Sequence, residues 1–157
     1  MKPTVYIETS VISYLTAKPS RDLIIAAHQQ ITIDWWETSL TKFDAFVSPV
    51  ILEEVSRGDS EASRLRLEKI SSFPVLEINP DVFNLAELYF SRLDIPDKAR
   101  ADAYHIALAS WHGLDYLVSW NCTHIANGRV RMIIEEINSS QGIRTPVICT
   151  PEELMEV

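Results

Sequence analysis

The sequence has no apolar run of the about 18 residues that a membrane-spanning helix requires, so we expect no transmembrane segment. It also opens without the basic and then apolar pattern of a secretory signal, and we therefore predict a cytoplasmic protein. Cysteine is scarce, because Cys122 and Cys149 are the only two, and their spacing matches no metal-binding motif. We expect both to be free thiols in a reducing compartment.

Positive charge is in short supply as well. The chain has 14 Lys and Arg residues against 22 Asp and Glu residues, which gives a formal net charge of −8. A protein that grips nucleic acid over a broad surface needs many basic side chains, because binding neutralises many phosphates. Any phosphate contact must therefore be local, or must be neutralised by a bound metal ion.

Length and composition are those of an ordinary globular protein. The 157 residues are 46% hydrophobic and 23% charged. We predict one domain that spans residues 1–157. A chain of this size buries roughly 68–70% of its unfolded surface, so the fold needs no disulfide or metal to hold it together.

The order of the elements predicts an α/β fold. Short β-rich runs alternate with helical patterns, and we predict strands at residues 4–7, 44–48, 75–78, 116–120 and 145–149. The run at 116–120 is almost entirely apolar, as in a strand that is covered on both faces. Such alternation is typical of a three-layer α/β/α sandwich around a central, mostly parallel sheet.

Polar side chains follow two of the predicted strands. Glu8, Thr9 and Ser10 come directly after the first strand, and Asn121 follows the strand at 116–120. In an open α/β sheet, ligands bind outside the carboxyl ends of the strands. For the first group, helix capping is an equally good interpretation, in which Thr9 or Ser10 accepts backbone N–H groups and Glu8 favours the helix dipole.

Two further acids belong to predicted helices. Glu54 lies beside the apolar face of a helix that opens at Pro49, and Asp102 lies early in an Ala-rich helix. If both helices meet the same edge of the sheet, three carboxylates and one amide converge there. Two like charges about 4 Å apart repel by about 4 kcal/mol at an effective dielectric constant of 20. A divalent cation removes this repulsion, oxygen ligands favour Mg²⁺ or Mn²⁺, and a water activated by such a cation can attack a phosphodiester.

The sequence resembles the PIN-domain family, in particular the VapC-like toxins of toxin–antitoxin pairs. The resemblance covers nearly the whole chain and is carried by residues 8–10, 54–58, 102–107 and 118–121, in this order. It implies the three-layer α/β/α fold, a Mg²⁺ or Mn²⁺ site and endoribonuclease activity on single-stranded RNA. It also implies inhibition by a small antitoxin protein and a homodimer.

The resemblance assigns roles to individual residues. Glu54 and Asp102 match the second and third acids of the family, whereas Glu8 stands where Asp is usual and Asn121 where an acid is common. These four are the expected catalytic residues, and the three acids among them are the expected metal ligands. Ser10 matches the position that steadies a metal-bound water, and its neighbour Thr9 is expected to support the site.

Four basic side chains are candidates for contact with RNA phosphates. His105 lies three residues after Asp102 on the same helix face, but a buried, hydrogen-bonded core histidine is the favoured alternative. Arg100, Arg129 and Arg131 are the other candidates, and a solvated surface position is the alternative for each.

Two other functions compete with the ribonuclease. The first is a PIN-fold binding protein that Glu8 and Asn121 leave catalytically weak or inactive. The second is a receiver-like phosphoacceptor or hydrolase, which ranks last because such a protein needs a nucleophilic Asp where this chain has Glu8.

Overall fold

A central sheet of four parallel strands organises the computed structural model, which describes residues 1–155. The strands are β1 (Thr4–Ile7), β2 (Asp44–Phe46), β3 (Tyr116–Val118) and β4 (Val147–Cys149). Their order across the sheet is β2-β1-β3-β4. Val5 of β1 pairs with Ala45 of β2 on one side and with Tyr116 of β3 on the other.

Helices connect all of these strands. The α-helices among residues 1–155 are α1 (Thr9–Thr16), α2 (Leu23–Thr38), α3 (Pro49–Val55), α4 (Ser60–Ile70), α5 (Pro80–Leu93), α6 (Arg100–Trp111) and α7 (Gly128–Gln141). Short 3-10 turns occupy Leu40–Lys42, Asp97–Ala99 and Pro151–Leu154. None of these helices combines the length and the apolar character that crossing a bilayer requires.

Burial of the central strands shows that helices cover both faces of the sheet. Val5, Tyr6 and Ile7 are consecutive and all fully buried, although successive side chains of a strand point to opposite faces. Leu117 and Val118 of β3 are fully buried in the same way. The predicted three-layer α/β/α sandwich is therefore confirmed, with a core on each side of the sheet.

Local sequence signals explain where the helices begin and end. Ser48 caps α3 by accepting from the Ile51 N–H, and Pro49 occupies the first helical position, where its missing N–H has no cost. The Ala-rich α6 ends next to Gly113, which adopts a φ of 70°. Glycine adopts this left-handed conformation without strain, so the chain can turn directly from α6 into β3.

Two local predictions are wrong. Residues 75–78 form no strand. Only Val75 forms a β-bridge, with Val47, because the chain turns into α3 directly after Val47, at Ser48. Leu23, Ile24, Ala27, Ile31 and Trp35 fall at helical spacing, which predicts that they share the buried face of α2, and this prediction fails at the start of the helix. Leu23 and Ile24 are 87% and 69% exposed, although Trp35 on the same helix is fully buried.

Candidate active site

The site lies where the chain reverses direction across the sheet. After β1 the chain moves to β2 on one side, and it returns to β3 on the other side of β1. The crevice outside the carboxyl ends of two such strands is where open α/β sheets bind ligands. Glu8 and Ser119 are the first residues after β1 and β3, and the Glu8 N–H donates to the Val118 carbonyl at 3.1 Å.

Glu8 is a buried carboxylate that accepts three hydrogen bonds. Its Oε1 accepts from the hydroxyls of Ser10 and Ser119, both at 2.5 Å, and its Oε2 accepts from the Ser10 N–H at 3.1 Å. Only 4% of the residue is exposed. Glu8, rather than Thr9 or Ser10, is also the N-cap of α1, so one side chain both caps this helix and belongs to the site. All three donors are uncharged, so none of them neutralises the carboxylate.

Glu54 approaches the same place from the last turn of α3. Its Oε1 accepts from the Thr9 hydroxyl and from His105 Nε2, both at 2.7 Å, and no hydrogen bond from the described residues reaches its Oε2. Burial by itself raises the pKa of the Glu54 carboxyl, but the hydrogen bond and charge of His105, with the Thr9 bond, outweigh it and hold that pKa below its ordinary value. Glu54 is therefore ionised at neutral pH.

His105 is fully buried beneath Glu54, and both of its ring nitrogens have partners. Nε2 faces Glu54, and Nδ1 lies 2.7 Å from the Tyr6 hydroxyl, which lies 2.8 Å from the Ser48 hydroxyl. Burial disfavours the charged ring, but the hydrogen bond to Glu54 and the charges of Glu8, Glu54 and Asp102 outweigh it and raise the pKa of His105. The expectation that His105 is a hydrogen-bonded core histidine agrees with this position.

The ligand atoms of Glu8, Glu54 and His105 lie within 4.8 Å of one another. Among the described residues, this is the group that could hold a metal ion. The fit is best through the carboxylates, because each keeps free acceptor capacity on Oε2, whereas both nitrogens of His105 are occupied. Oxygen ligands of this kind suit Mg²⁺ or Mn²⁺.

Asp102 belongs to the first turn of α6 and lies close to this group without being part of it. Its Oδ2 lies 3.1 Å from His124 Nδ1, and its side chain is 14% exposed. Its negative charge acts on His105, one turn further along the helix. The structure thus places Asp102 near enough to His105 for its charge to act there, with His124 as its direct partner.

Asn121 shapes the turn that carries this histidine. Its side-chain oxygen accepts from the His124 N–H at 3.0 Å, and its carbonyl accepts from the Ile125 and Ala126 N–H groups. The turn fixes His124 against Asp102. Sequence reasoning missed His124 and Ser119, and the polar segment between Asn121 and Asn127 was the only signal that could have pointed to the histidine.

The three arginines predicted to contact RNA all have partners within the chain. Arg100 forms an ion pair with Glu87 and lies over the Phe90 ring, with its guanidinium carbon 3.9 Å from the ring centroid. Arg129 donates to the Leu93 carbonyl and Arg131 to the Ile148 carbonyl. Their contact with RNA stays a prediction, and it would have to use the remaining guanidinium N–H groups.

Comparison with known proteins places this site in a family. The chain matches the PIN domain family over residues 5–121. It is similar in fold to VapC20 of Mycobacterium tuberculosis, a toxin that cleaves the sarcin–ricin loop, with a TM-score of 0.60 and 16% identity over 76% of this chain and 92% of that chain. No curated protein matches the sequence. Because the family match covers well over half of the chain and includes both strands that frame the site, the protein belongs to the PIN domain family.

Proposed function

We propose that the protein is a Mg²⁺- or Mn²⁺-dependent endoribonuclease that cleaves single-stranded RNA, and that it is the toxin of a toxin–antitoxin pair. The observation that carries the proposal is the approach of the Glu8 and Glu54 carboxylates within 4.8 Å at the carboxyl end of the sheet. Membership of the PIN domain family and the fold likeness to VapC20, which cleaves the sarcin–ricin loop, support it.

The residues of the site have two proposed roles. Some would bind the cation, and others keep the ligands in position. Glu8 and Glu54 offer Oε2 atoms to the cation, and Asp102, whose charge acts on His105, is the third acid of the proposed site. When bound, the cation would neutralise the phosphate and lower the pKa of a water at the scissile bond. Ser10 and Thr9 donate to Glu8 and Glu54 and keep the two carboxylates in place.

The net charge of −8 makes the cation important for substrate binding as well as for chemistry. An acidic surface repels a polyanion, and one of the three arginines predicted to contact RNA, Arg100, is already paired with Glu87. A divalent ion at the site supplies the local positive charge that RNA phosphates need.

Cleavage of a single-stranded RNA by the pure protein tests the proposal. We expect cleavage with Mn²⁺ or Mg²⁺ and no cleavage in excess chelator. We also expect a loss of about 100-fold in the variant Asp102→Asn, because the charge of Asp102 acts on His105 next to the two glutamates, and its removal weakens the binding and the orientation of the cation. Asp81→Asn is the matched control, since Asp81 lies in the first turn of α5, as Asp102 does in α6, and is exposed to solvent. Cleavage that persists in chelator, or in Asp102→Asn at the control rate, would reject the assignment.

A PIN-fold binding protein with little or no activity is the second candidate. It is favoured by the engagement of Glu8 by three donors and by the use of the Asn121 amide in a turn rather than in the cluster. The two candidates differ in one result: a protein that binds Mn²⁺ and RNA but leaves the RNA intact over hours is the binding protein.

An antitoxin is the proposed protein partner, and a homodimer and a cytoplasmic location complete the proposal. Leu23 and Ile24 of α2 are exposed apolar side chains of the kind that protein interfaces cover. Co-expression with the product of an adjacent small gene should yield a complex that copurifies and suppresses cleavage. Light scattering on the isolated chain measures its oligomeric state, and a mass near 17.9 kDa would reject the homodimer.

A further inference from the structure

A chain of buried hydroxyl and imidazole groups runs from the core of the sheet to the Glu54 carboxylate. Ser48, Tyr6 and His105 are each fully buried, and consecutive partners lie 2.8, 2.7 and 2.7 Å apart, ending at Glu54 Oε1. They come from different elements: Tyr6 from β1, Ser48 from the cap of α3, and His105 from α6. Buried polar groups are costly unless every one has a partner, so a core retains such a chain only where the partners match.

The direction of the last hydrogen bond is fixed by chemistry. An ionised carboxylate only accepts hydrogen bonds, so His105 Nε2 carries a proton and donates a hydrogen bond to Glu54. The other ring nitrogen, Nδ1, then accepts a hydrogen bond if the ring is neutral and donates one if the ring is charged. It therefore needs a partner that can play both roles. A hydroxyl does so in both cases, because it can donate to a bare nitrogen and accept from an N–H. Tyr6 supplies this hydroxyl, and Phe at this position could not.

The same contacts decide which oxygen of Glu54 is left for a ligand. Oε1 takes two donors, from Thr9 and His105, and no donor from the described residues reaches Oε2. The carboxylate is therefore oriented with one oxygen held by the protein and the other left for a cation. Histidine and carboxylate groups around metal ligands commonly work in this way, and their loss typically costs about 10–100-fold in metal affinity.

We propose that Tyr6, acting through His105 and supported by Ser48, is a positioning residue that orients the Glu54 carboxylate for divalent-cation binding, and that His105 is not itself a ligand of the cation. This inference rests on the metal site of the proposed function. It goes beyond that proposal because it assigns roles to three buried side chains outside the expected set of ligands.

The test is Mn²⁺ titration by calorimetry on the full chain and on Tyr6→Phe. We expect an affinity about 10-fold weaker in Tyr6→Phe, the lower end of the usual loss for a group behind a metal ligand. Tyr89→Phe is the matched control, because Tyr89 is also fully buried and donates to the buried Asn138, in the packing of α5 and α7 rather than at the site. We expect Tyr89→Phe to lower the melting temperature as Tyr6→Phe does, and to leave Mn²⁺ affinity within about twofold, inside the scatter of independent sites.

The outcomes separate this inference from the proposed function. If the unmodified chain binds no Mn²⁺, the proposed function fails first, and the inference falls with it. If the unmodified chain binds Mn²⁺ and Tyr6→Phe binds it equally well, only the inference is overturned. If Tyr6→Phe does not fold, Ser48→Ala takes its place. We expect Mn²⁺ affinity to weaken about 3-fold in this variant, because the lost Ser48 hydroxyl is one hydrogen bond further from Glu54 than the Tyr6 hydroxyl. Unchanged affinity in that variant overturns the inference.

Pulsed electron paramagnetic resonance on the Mn²⁺-loaded protein gives a second readout, independent of activity. We expect no strong ¹⁴N coupling, because Glu8 and Glu54 ligate the ion through oxygen while His105 faces Glu54 and Tyr6. A directly coordinated nitrogen whose signal disappears in His105→Gln would overturn the inference, since it would make His105 a ligand.

Discussion

Glu53 and Glu54 are neighbours in sequence with opposite environments. The Glu53 side chain is 70% exposed and forms an ion pair with Arg57 at 2.6 Å, whereas that of Glu54 is 22% exposed and is held by Thr9 and His105. The difference follows from the helix, in which adjacent residues point about 100° apart. Glu54 therefore reaches the site and Glu53 reaches solvent, so substitution of Glu53 is a control for substitution of Glu54.

Glu54→Gln should abolish most divalent-cation binding while Glu53→Gln should not. The amide introduced by Glu54→Gln would keep a carbonyl oxygen but lose the negative charge, so we expect Mn²⁺ affinity to fall at least about 10-fold. Calorimetric titration of both variants measures this. Equal affinities in the two variants would show that Glu54 is no ligand.

His124 should matter for cleavage through its contact with Asp102. Without the imidazole 3.1 Å from Asp102 Oδ2, the carboxylate loses the partner that orients it, so His124→Ala should cleave RNA about 10-fold more slowly. His112→Ala is the control, because His112 hydrogen-bonds the Glu77 carbonyl on the surface, away from the site. Rates that match in the two variants would remove His124 from the site.

The acids of the site could be predicted from residue type and sequence position. The residues that contact them from distant parts of the chain could not. Glu8 was predicted because it follows the first strand, Glu54 because an acid beside an apolar helix face is uncommon, and Asp102 from its place early in the Ala-rich helix and the family resemblance. Ser119 and His124 carry no such signal, since a hydroxyl or an imidazole gains its role only from the partner that the fold brings to it. Ser119 bonds Glu8, which is 111 residues away in the chain.

At the scale of elements, the strand order β2-β1-β3-β4 brings the site together. Alternation of strands and helices predicted the parallel sheet, because that pattern depends on local sequence. The pairing order depends on contacts between distant segments and could not be read from it. The same limit explains the error at residues 75–78, where a β-rich run has only Val47 to bridge.

The far end of the sheet provides a pH-dependent prediction. Asp115 accepts from the Thr4 N–H at 2.9 Å and pairs with Arg144 at 2.9 Å, and these contacts hold the pKa of its carboxyl below the usual value. A lowered pKa means that the contribution to folding stability is present above the unfolded pKa of about 3.9 and is lost as pH falls through the folded pKa.

Asp115→Asn should therefore be less stable than the unmodified chain at pH 7, and the difference should shrink toward about pH 3, below the unfolded pKa. The Asp115 side chain is 36% exposed, so we expect a loss of less than about 1 kcal/mol. Urea unfolding at both pH values measures it. A difference that stays constant with pH would mean that the carboxylate charge is not what ties the start of β1 to the turn before β3.

At the scale of the whole molecule, the proposed function requires an acidic protein to act on an acidic polymer. The net charge of −8 leaves little general attraction to RNA, and Glu87 balances the charge of Arg100. In the proposed function, a divalent cation held by the Glu8 and Glu54 carboxylates would supply the local positive charge. RNA binding and RNA cleavage should therefore share one requirement for the cation.

Anomalous diffraction from crystals soaked in Mn²⁺ tests the central claim most directly. The account predicts a peak about 2.0–2.3 Å from carboxylate oxygens of both Glu8 and Glu54, at the carboxyl ends of β1 and β3. A peak elsewhere on the protein, or none at Mn²⁺ concentrations that support RNA cleavage, would contradict it.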